Sequence, residues 1–376
     1  MLSKPQFTGE RVPLTNLCSP KQWKTIPKSS LEDSGYPVYG ANGIIGHYHD
    51  FNHAEETILI GCRGTCGQIN VCPPQSYVTG NAMALDSLSD RVSLNYLEAF
   101  LRTYDFDKVI GGTSQPQITK QGLAKIMVPV PSLEEQVMIE SKLQSVNSIK
   151  EAATHQLSLF DDLVKSRFDE MFGDPVNSNK WPRYKIGDVY AVKSSKRIYA
   201  KKQTRTGIPF YRLADINTLI DNGHANSKIY ISEDTYAELA SNDQVPLSGD
   251  ILVTARGTLG RCYVIAPSDC FYFQDGMITW LSRKEVSPLP TYLVSVFKNA
   301  HFIDSLRASC SGTTVRYLSI FDLANTTIPL PPIALQEEFV DFVSCTDKSR
   351  FISMSRYRDI LIKNGYRHSH LQDFNR

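Results

Sequence analysis

The sequence predicts an α+β chain: two similar, mixed and strand-rich domains separated by an antiparallel pair of long coiled-coil helices, with an approximate two-fold relation. Three observations predict it. The chain repeats itself, each copy opens with short apolar runs broken by Gly, Pro and Asn, and each closes on a long stretch of helical periodicity. Gly35-Tyr36-Pro37-Val38-Tyr39 matches Gly207-Ile208-Pro209-Phe210-Tyr211 at an offset of 172, and Leu14 to Leu17 matches Ile186 to Val189 at the same offset. Ile58 to Gly67 matches Ile251 to Gly260 at 193, so the second copy carries 21 extra residues between Tyr211 and Ile251. Gly112-Thr113 with Gly312-Thr313, Pro129-Val130-Pro131 with Pro329-Leu330-Pro331, and Gln136 with Gln336 all agree on 200. One matching block is within chance; an ordered series with slowly growing offset is duplication. The expected divisions are 1–130, 131–175, 176–330 and 331–376.

Taken in order, Thr57 to Ile60 and Ile251 to Val253 read as strands, and apolar residues three or four apart predict helix from Asn95 to Leu101 and from Tyr292 to Phe297. From Leu133 to Phe172 there is neither Gly nor Pro, and Leu143, Val146, Ala153, Leu157, Phe160 and Val164 fall close to heptad spacing. Ser132 and Glu135 form a capping box at its start, and Gly173 with Pro175 stops it. At 1.5 Å per residue this helix spans roughly 60 Å. The second, about Leu335 to Lys363, is less regular, with Phe339, Val343 and Ile360 on its expected seam and Asn364-Gly365 as its stop. Seams of this length find their simplest cover in each other.

The chain has 376 residues, 41% of them hydrophobic and 21% charged, which is material for two or three folded domains and excludes a disordered chain or a disulfide-dependent miniature. Eight scattered cysteines suit a reducing compartment. Neither the start nor any later stretch has the apolar run of a signal peptide or membrane span, so a cytoplasmic protein without membrane contact is expected. The formal charge of +1 offers no global attraction to a polyanion, and any nucleic-acid contact must be local.

No phosphate loop, dinucleotide fingerprint, zinc-protease motif or nucleophile elbow is present, so no catalytic residue is expected. Cys72-Pro73-Pro74-Gln75 lacks the leading Asn or Asp of an amino-methyltransferase motif and reads as a turn. His47, His49, His53, Cys62, Cys66 and Cys72 invite a zinc reading, yet Cys62 and Cys66 align with Ala255 and Leu259, so the second copy makes the same turn without thiols and no metal is expected. Arg63 to Gly67 and Arg256 to Gly260 read first as glycine turns after a strand; Arg63 and Arg256 are also placed to reach a phosphate or a guanine edge. Lys193, Lys196, Arg197, Lys201, Lys202 and Arg205 surround Tyr199 with no acidic residue between Val192 and Thr206. Such a run is either a solvated loop or a DNA contact with salt-sensitive affinity. Lys21, Lys24 and Lys28 are its thinner counterpart. Thr113, Ser114 and Gln115, with Thr313, Thr314 and Arg316, form paired loops suited equally to turns or to backbone and base contacts.

The segments Gly112 to Thr119, Val128 to Gln136 and Leu159 to Pro175, echoed by Ile328 to Pro332 with Gln336 and by Arg356 to Leu361, resemble the specificity subunit of Type I restriction-modification systems. The resemblance covers the whole chain. It implies two target-recognition domains that each read half of a split double-stranded DNA sequence, and two helices that space them and dock two modification subunits; restriction subunits join that core. It further implies that this subunit is not an enzyme alone and binds no cofactor, while S-adenosylmethionine, ATP and Mg belong to the partners. Glu337 and Ala334 depart from the second Pro-x-x-Glu-Gln pattern, which weakens the docking expectation on that helix. The alternative is a non-catalytic scaffold of two adhesive domains on a coiled-coil spacer, which the repeat and near-neutral charge also fit. Two diverged readers in one chain predict a bipartite, non-palindromic site with an unread gap, unlike the palindrome of a symmetric dimer.

Overall fold

The computed structural model describes residues 9–112, 115–274, 276–310 and 317–363. The chain divides into two compact units between Ser148 and Ile149.

The first unit runs β1 (Arg11–Pro13), α1 (Leu14–Leu17), β2 (Ser19–Gln22), β3 (Tyr36–Gly40), β4 (Gly43–Tyr48), β5 (Thr57–Gly61), β6 (Ile69–Cys72), β7 (Tyr77–Val78) and β8 (Ala82–Asp86). It continues with α2 (Leu94–Thr103), β9 (Ile110–Gly111), β10 (Gln117–Ile118), α3 (Lys120–Leu123), β11 (Met127–Pro129) and the start of α4 (Leu133–Phe172). An antiparallel sheet in the order β2-β8-β5-β6 stands beside a three-stranded one, β4-β3-β7, whose β3–β7 pair is parallel. Ile58, Leu59 and Ile60 are all buried because β5 is covered on both faces, which is why it reads as an unbroken apolar run rather than an alternating one. Ser93 caps α2 by accepting from the Tyr96 amide, and the helix buries Tyr96, Leu97 and Leu101 against β5 and β6. Truncating Leu97 to Ala would cost about 2–5 kcal/mol. Pairing of β1 with β11 brings the two ends of the domain together directly before α4.

The second unit holds the rest of α4, then β12 (Arg183–Lys185), α5 (Ile186–Val189), β13 (Tyr190–Lys193), β14 (Gln203–Thr204), β15 (Ile208–Tyr211), α6 (Leu213–Asn222), β16 (Tyr230–Ile231), α7 (Glu233–Ser241), β17 (Ile251–Thr254) and β18 (Cys262–Val264). Then come β19 (Tyr272–Phe273), β20 (Ile278–Arg283), α8 (Pro290–Lys298), α9 (Ala300–Ser309), α10 (Ile320–Asn325), β21 (Thr327–Pro329) and α11 (Ile333–Lys363). The registers repeat those of the first unit. Arg11 faces Pro129 and Arg183 faces Pro329; Leu59 faces Ala84 and Leu252 faces Trp280; Val38 runs beside Tyr77 and Phe210 beside Tyr272. The 21 extra residues enter in two steps. Tyr36–Tyr48 pairing becomes Ile208–Ile231 pairing, with α6 inside the hairpin, and α7 follows before β17.

Both long helices begin on the same fastening. Ser132 and Glu135 make the capping box, each bonding the other's backbone amide. The Gln136 Oε1 accepts from the Ser93 amide at 2.9 Å while its Nε2 donates to Pro131 O; the Gln336 Oε1 accepts from the Leu289 amide at 2.8 Å while its Nε2 donates to Pro331 O. Tyr96 and Tyr292 hydroxyls each donate to a proline carbonyl, Pro129 and Pro329, at 2.9 Å.

Within the second unit, the last part of α4 and α11 run antiparallel, since Arg167 meets Glu338 while the earlier Asp161 meets the later Arg350. Phe168, Phe172, Tyr292 and Phe339 pack ring against ring there, with centroids 4.9 to 5.7 Å apart. Along α4, Val146 and Ala153 are buried and Leu143, Leu157, Phe160 and Val164 half-buried; on α11, Phe339 is buried and Val343 half-buried. Ile360 departs from the expected seam. It is 42% exposed, and Leu361 is the buried residue. A strict heptad from Phe339 lands on 360, but a helix of 3.6 residues per turn drifts roughly 20° per heptad, and after three heptads the next residue faces inward.

Candidate nucleic-acid interface

In the second unit the segment from Lys193 to Arg205 is held by two anchors. Ile198 is buried with Phe210, Ile231 and Leu239, and the Lys196 amide donates to the Tyr272 hydroxyl at 2.8 Å. Arg197 and Tyr199, flanking the anchor, therefore face outward, Tyr199 at 62% exposure. They meet the turn after β17 across an open cleft of about 500 Å³, whose wall also includes Gln203, Arg212, Arg256 and Gln274. Arg256 and the cationic loop, distant in sequence, are brought together; Arg212 and Gln274 complete the group and were not anticipated. A signal for both existed: they directly follow Tyr211 and Phe273, the paired ends of β15 and β19.

The turn itself is built as the glycines require. Gly257 and Gly260 adopt φ of +70° and +80°, mirrored by Gly64 and Gly67 at +77° and +82°. A side chain on Gly67 would meet Phe106 Cβ at 2.7 Å, so that closing glycine is also a packing necessity, while one on Gly260 would meet only the movable end of Ile303, Cδ1 at 2.5 Å. Arg256 is pinned on both sides: Ala255 donates its amide to Met277 O and accepts from the Leu318 amide, both at 2.9 Å, and Arg256 bridges Tyr317. Its guanidinium lies 5.6 Å from the Tyr317 ring centroid, and its buried Nε has no hydrogen-bond partner.

The loop is less free than its composition suggests. Glu238 on α7 lies 3.8 Å from Lys196 Nζ and 4.0 Å from Lys202 Nζ, and Lys193 Nζ sits 4.6 Å over the Trp280 ring. The missing acid comes from the insertion. Lys201 and Arg205 are exposed.

The first unit has the same turn with different surroundings. Arg63 is exposed and bridges Gln117; Gly40 stands where Arg212 does, and Thr79 where Gln274 does. Thr79 is buried and its hydroxyl donates to Tyr39 O at 3.0 Å, so it presents nothing to solvent. Lys21 Nζ lies 3.6 Å over the Trp23 ring, and Lys24, Lys28 and Gln115 are exposed. Thr113, Ser114, Thr313, Thr314 and Arg316 lie outside the described residues.

The histidines and thiols considered for zinc have local partners. His53 contacts Asp86 at 3.0 Å and Asn52 at 2.7 Å, and His49 contacts Glu32. Cys62 donates to Asn81 O at 3.2 Å, and burial pushes the Cys72 thiol up to about 11, which keeps it protonated. Among the described residues no three potential ligands converge, and no helix is long and apolar enough to cross a membrane.

Two copies of one fold, each with an arginine in a strand-end glycine turn and each fastened to a long helix, define a protein of two repeated domains. A family model for the type I restriction modification DNA specificity domain matches twice, at residues 9–158 and 178–357. The chain belongs to that family. A Haemophilus influenzae protein named as a type I restriction enzyme specificity subunit is 27% identical over 326 residues, covering 84% of this chain and 81% of its own. The EcoprrI specificity subunit of Escherichia coli is 27% identical over 120 residues, 32% of this chain and 30% of its own. The type I restriction-modification S subunit of M. genitalium shares the fold, with a TM-score of 0.56 at 14% identity over 100% of this chain and 98% of that one. So does a chain from a structure concerning complex assembly of the type I R-M system, with a TM-score of 0.53 at 17% identity over 99% and 98%.

Proposed function

We propose that each unit reads one half of a bipartite, non-palindromic DNA site and that the long helices set the gap between the halves. The observation that carries this reading is that the two units share strand registers while the residues at the equivalent strand ends differ: Arg212 and Gln274 against Gly40 and Thr79. Equal frames present two recognition surfaces at equivalent positions; unequal residues there give them different preferences. Lys21, Lys24, Lys28 and Arg63 serve one half-site, and Arg197, Tyr199, Lys201, Arg205 and Arg256 the other, with Thr113, Ser114, Gln115, Thr313, Thr314 and Arg316 contributing from the paired loops. Phosphate contacts position the duplex and base-edge contacts specify it.

In this reading the chain performs no chemistry. Two modification subunits dock on the helices, where Leu159 and Leu163 of α4 and Phe351 and Ile352 of α11 are exposed apolar side chains, and restriction subunits join them. Those partners carry S-adenosylmethionine, ATP and Mg. Deleting four residues, about one helical turn, within 144–158 tests the reading. Sequencing of methylated bases in cells carrying the complete complex is expected to show both half-sites unchanged with an altered gap. An altered half-site with the original gap refutes the spacer role, and absence of salt-dependent duplex binding by the complex refutes DNA recognition.

A further inference from the structure

Resting on that reading, we propose that Arg256 is a specificity-determining residue of the second unit that reads a guanine through its major-groove edge. Reading a guanine demands a guanidinium held in place before the DNA arrives, with donors left over for O6 and N7. A cation paired with a carboxylate has its charge already engaged; one on a loose loop serves any phosphate. The cations around the second unit sort by this criterion. Lys196 and Lys202 share Glu238, and Arg261 is bound by Asp221 and by Asn217 Oδ1 at 2.9 Å. Arg256 has no carboxylate partner among the described residues, and its buried Nε has no hydrogen-bond partner. The backbone of the preceding Ala255 is bonded to Met277 and Leu318, Arg256 itself bridges Tyr317, and its guanidinium is backed by the Tyr317 ring, a face that attracts a cation without consuming an N–H.

The ground in front is open. Nothing lies within 4 Å of where a Cβ on Gly257 would be, so the adjoining backbone offers a close approach, and Arg256 lines the open cleft of about 500 Å³. Gln274 lines the same cleft and adds an amide that can both donate and accept. The first unit lacks this arrangement: Arg63 bridges Gln117 rather than an aromatic residue.

The test is the methylated-base map made by the whole complex carrying Arg256→Lys or Arg256→Ala. Lysine keeps the charge and loses the planar fork, so it separates base reading from phosphate contact. With R256K, one G·C position in one half-site is expected to become degenerate, discrimination there falling roughly 10- to 100-fold, while the other half-site and the gap stay unchanged. R256A is expected to relax the same position and to reduce modification further. Both half-sites unchanged in R256K, or a uniform loss at all sites restored by lysine, would overturn the assignment. Degeneracy at an A·T position would overturn it as well. A wild-type complex without any bipartite motif would remove the DNA reading itself, an outcome distinct from an unaltered R256K map.

Discussion

The two units differ where they meet solvent and agree where they hold themselves together. Tyr96 and Tyr292, Gln136 and Gln336, and the strand registers around Leu59 and Leu252 are the same solution twice. The second unit adds α6 and α7 and fills its cleft with Arg212 and Gln274, where the first has a glycine and an inward-turned threonine. The lesson concerns which constraints are rigid. Buried hydrogen bonds and packed strands tolerate little change, whereas the hairpin between β15 and β16 absorbs a whole helix because a longer surface loop costs little additional closure entropy.

The largest test of that comparison removes a piece found only in the second unit. Phe339→Ala opens the ring cluster with Phe168, Phe172 and Tyr292, and is expected to cost about 3–5 kcal/mol in denaturant unfolding. The loss should appear in the second unit first, with amide exchange in β5 and β8 of the first unit little changed. A matched pair of substitutions comes next. Gln136→Leu and Gln336→Leu each strand a backbone amide, Ser93 or Leu289, and should each cost about 1–3 kcal/mol. Equal losses support a shared frame; a loss confined to one copy breaks it.

The smallest effect is a pH dependence belonging to the second unit. His301 Nδ1 bonds Asp174 just past the end of α4. That bond raises the His301 pKa above 6.5. Burial alone would raise the Asp174 pKa, but bonds from His301 and from the Asn177 and Val176 amides outweigh it and hold the carboxyl well below 3.8. The histidine's contribution is complete below 6.5 and lost as pH rises through its raised value; the carboxylate's is complete above 3.8 and lost as pH falls. His301→Ala should therefore lower the melting temperature most between those two values and hardly at all in alkali. An unchanged profile would dismiss the pair as a fastening.

Much of this was legible in the residues. Co-linear matches located the copies, and Ser132, Glu135 and Gly173 located the ends of α4 because capping is a local act. The helices α6 and α7 escaped, since a segment present in one copy has nothing to align with. The basic loop looked unpaired because its acid, Glu238, lies on α7, and no local count of charges sees across a fold. The seam of α11 looked irregular for a related reason: buried Thr346 satisfies itself by donating to Phe342 O, and Arg350 reaches Asp161. Polar residues occupy apolar positions there, each bonded to a partner inside the fold.

The paired glutamines carry a last consequence. Each fastens its domain to its helix through the same two main-chain partners, an amide accepted and a proline carbonyl donated to, with lengths that agree to about 0.1 Å. The joint is thus a standard coupling, indifferent to what the head presents outward. Crossovers near 131 and 331 would exchange one head for another without disturbing the coupling, so new combinations of sequence preference arise by transplantation of intact parts rather than by slow repair of a damaged core.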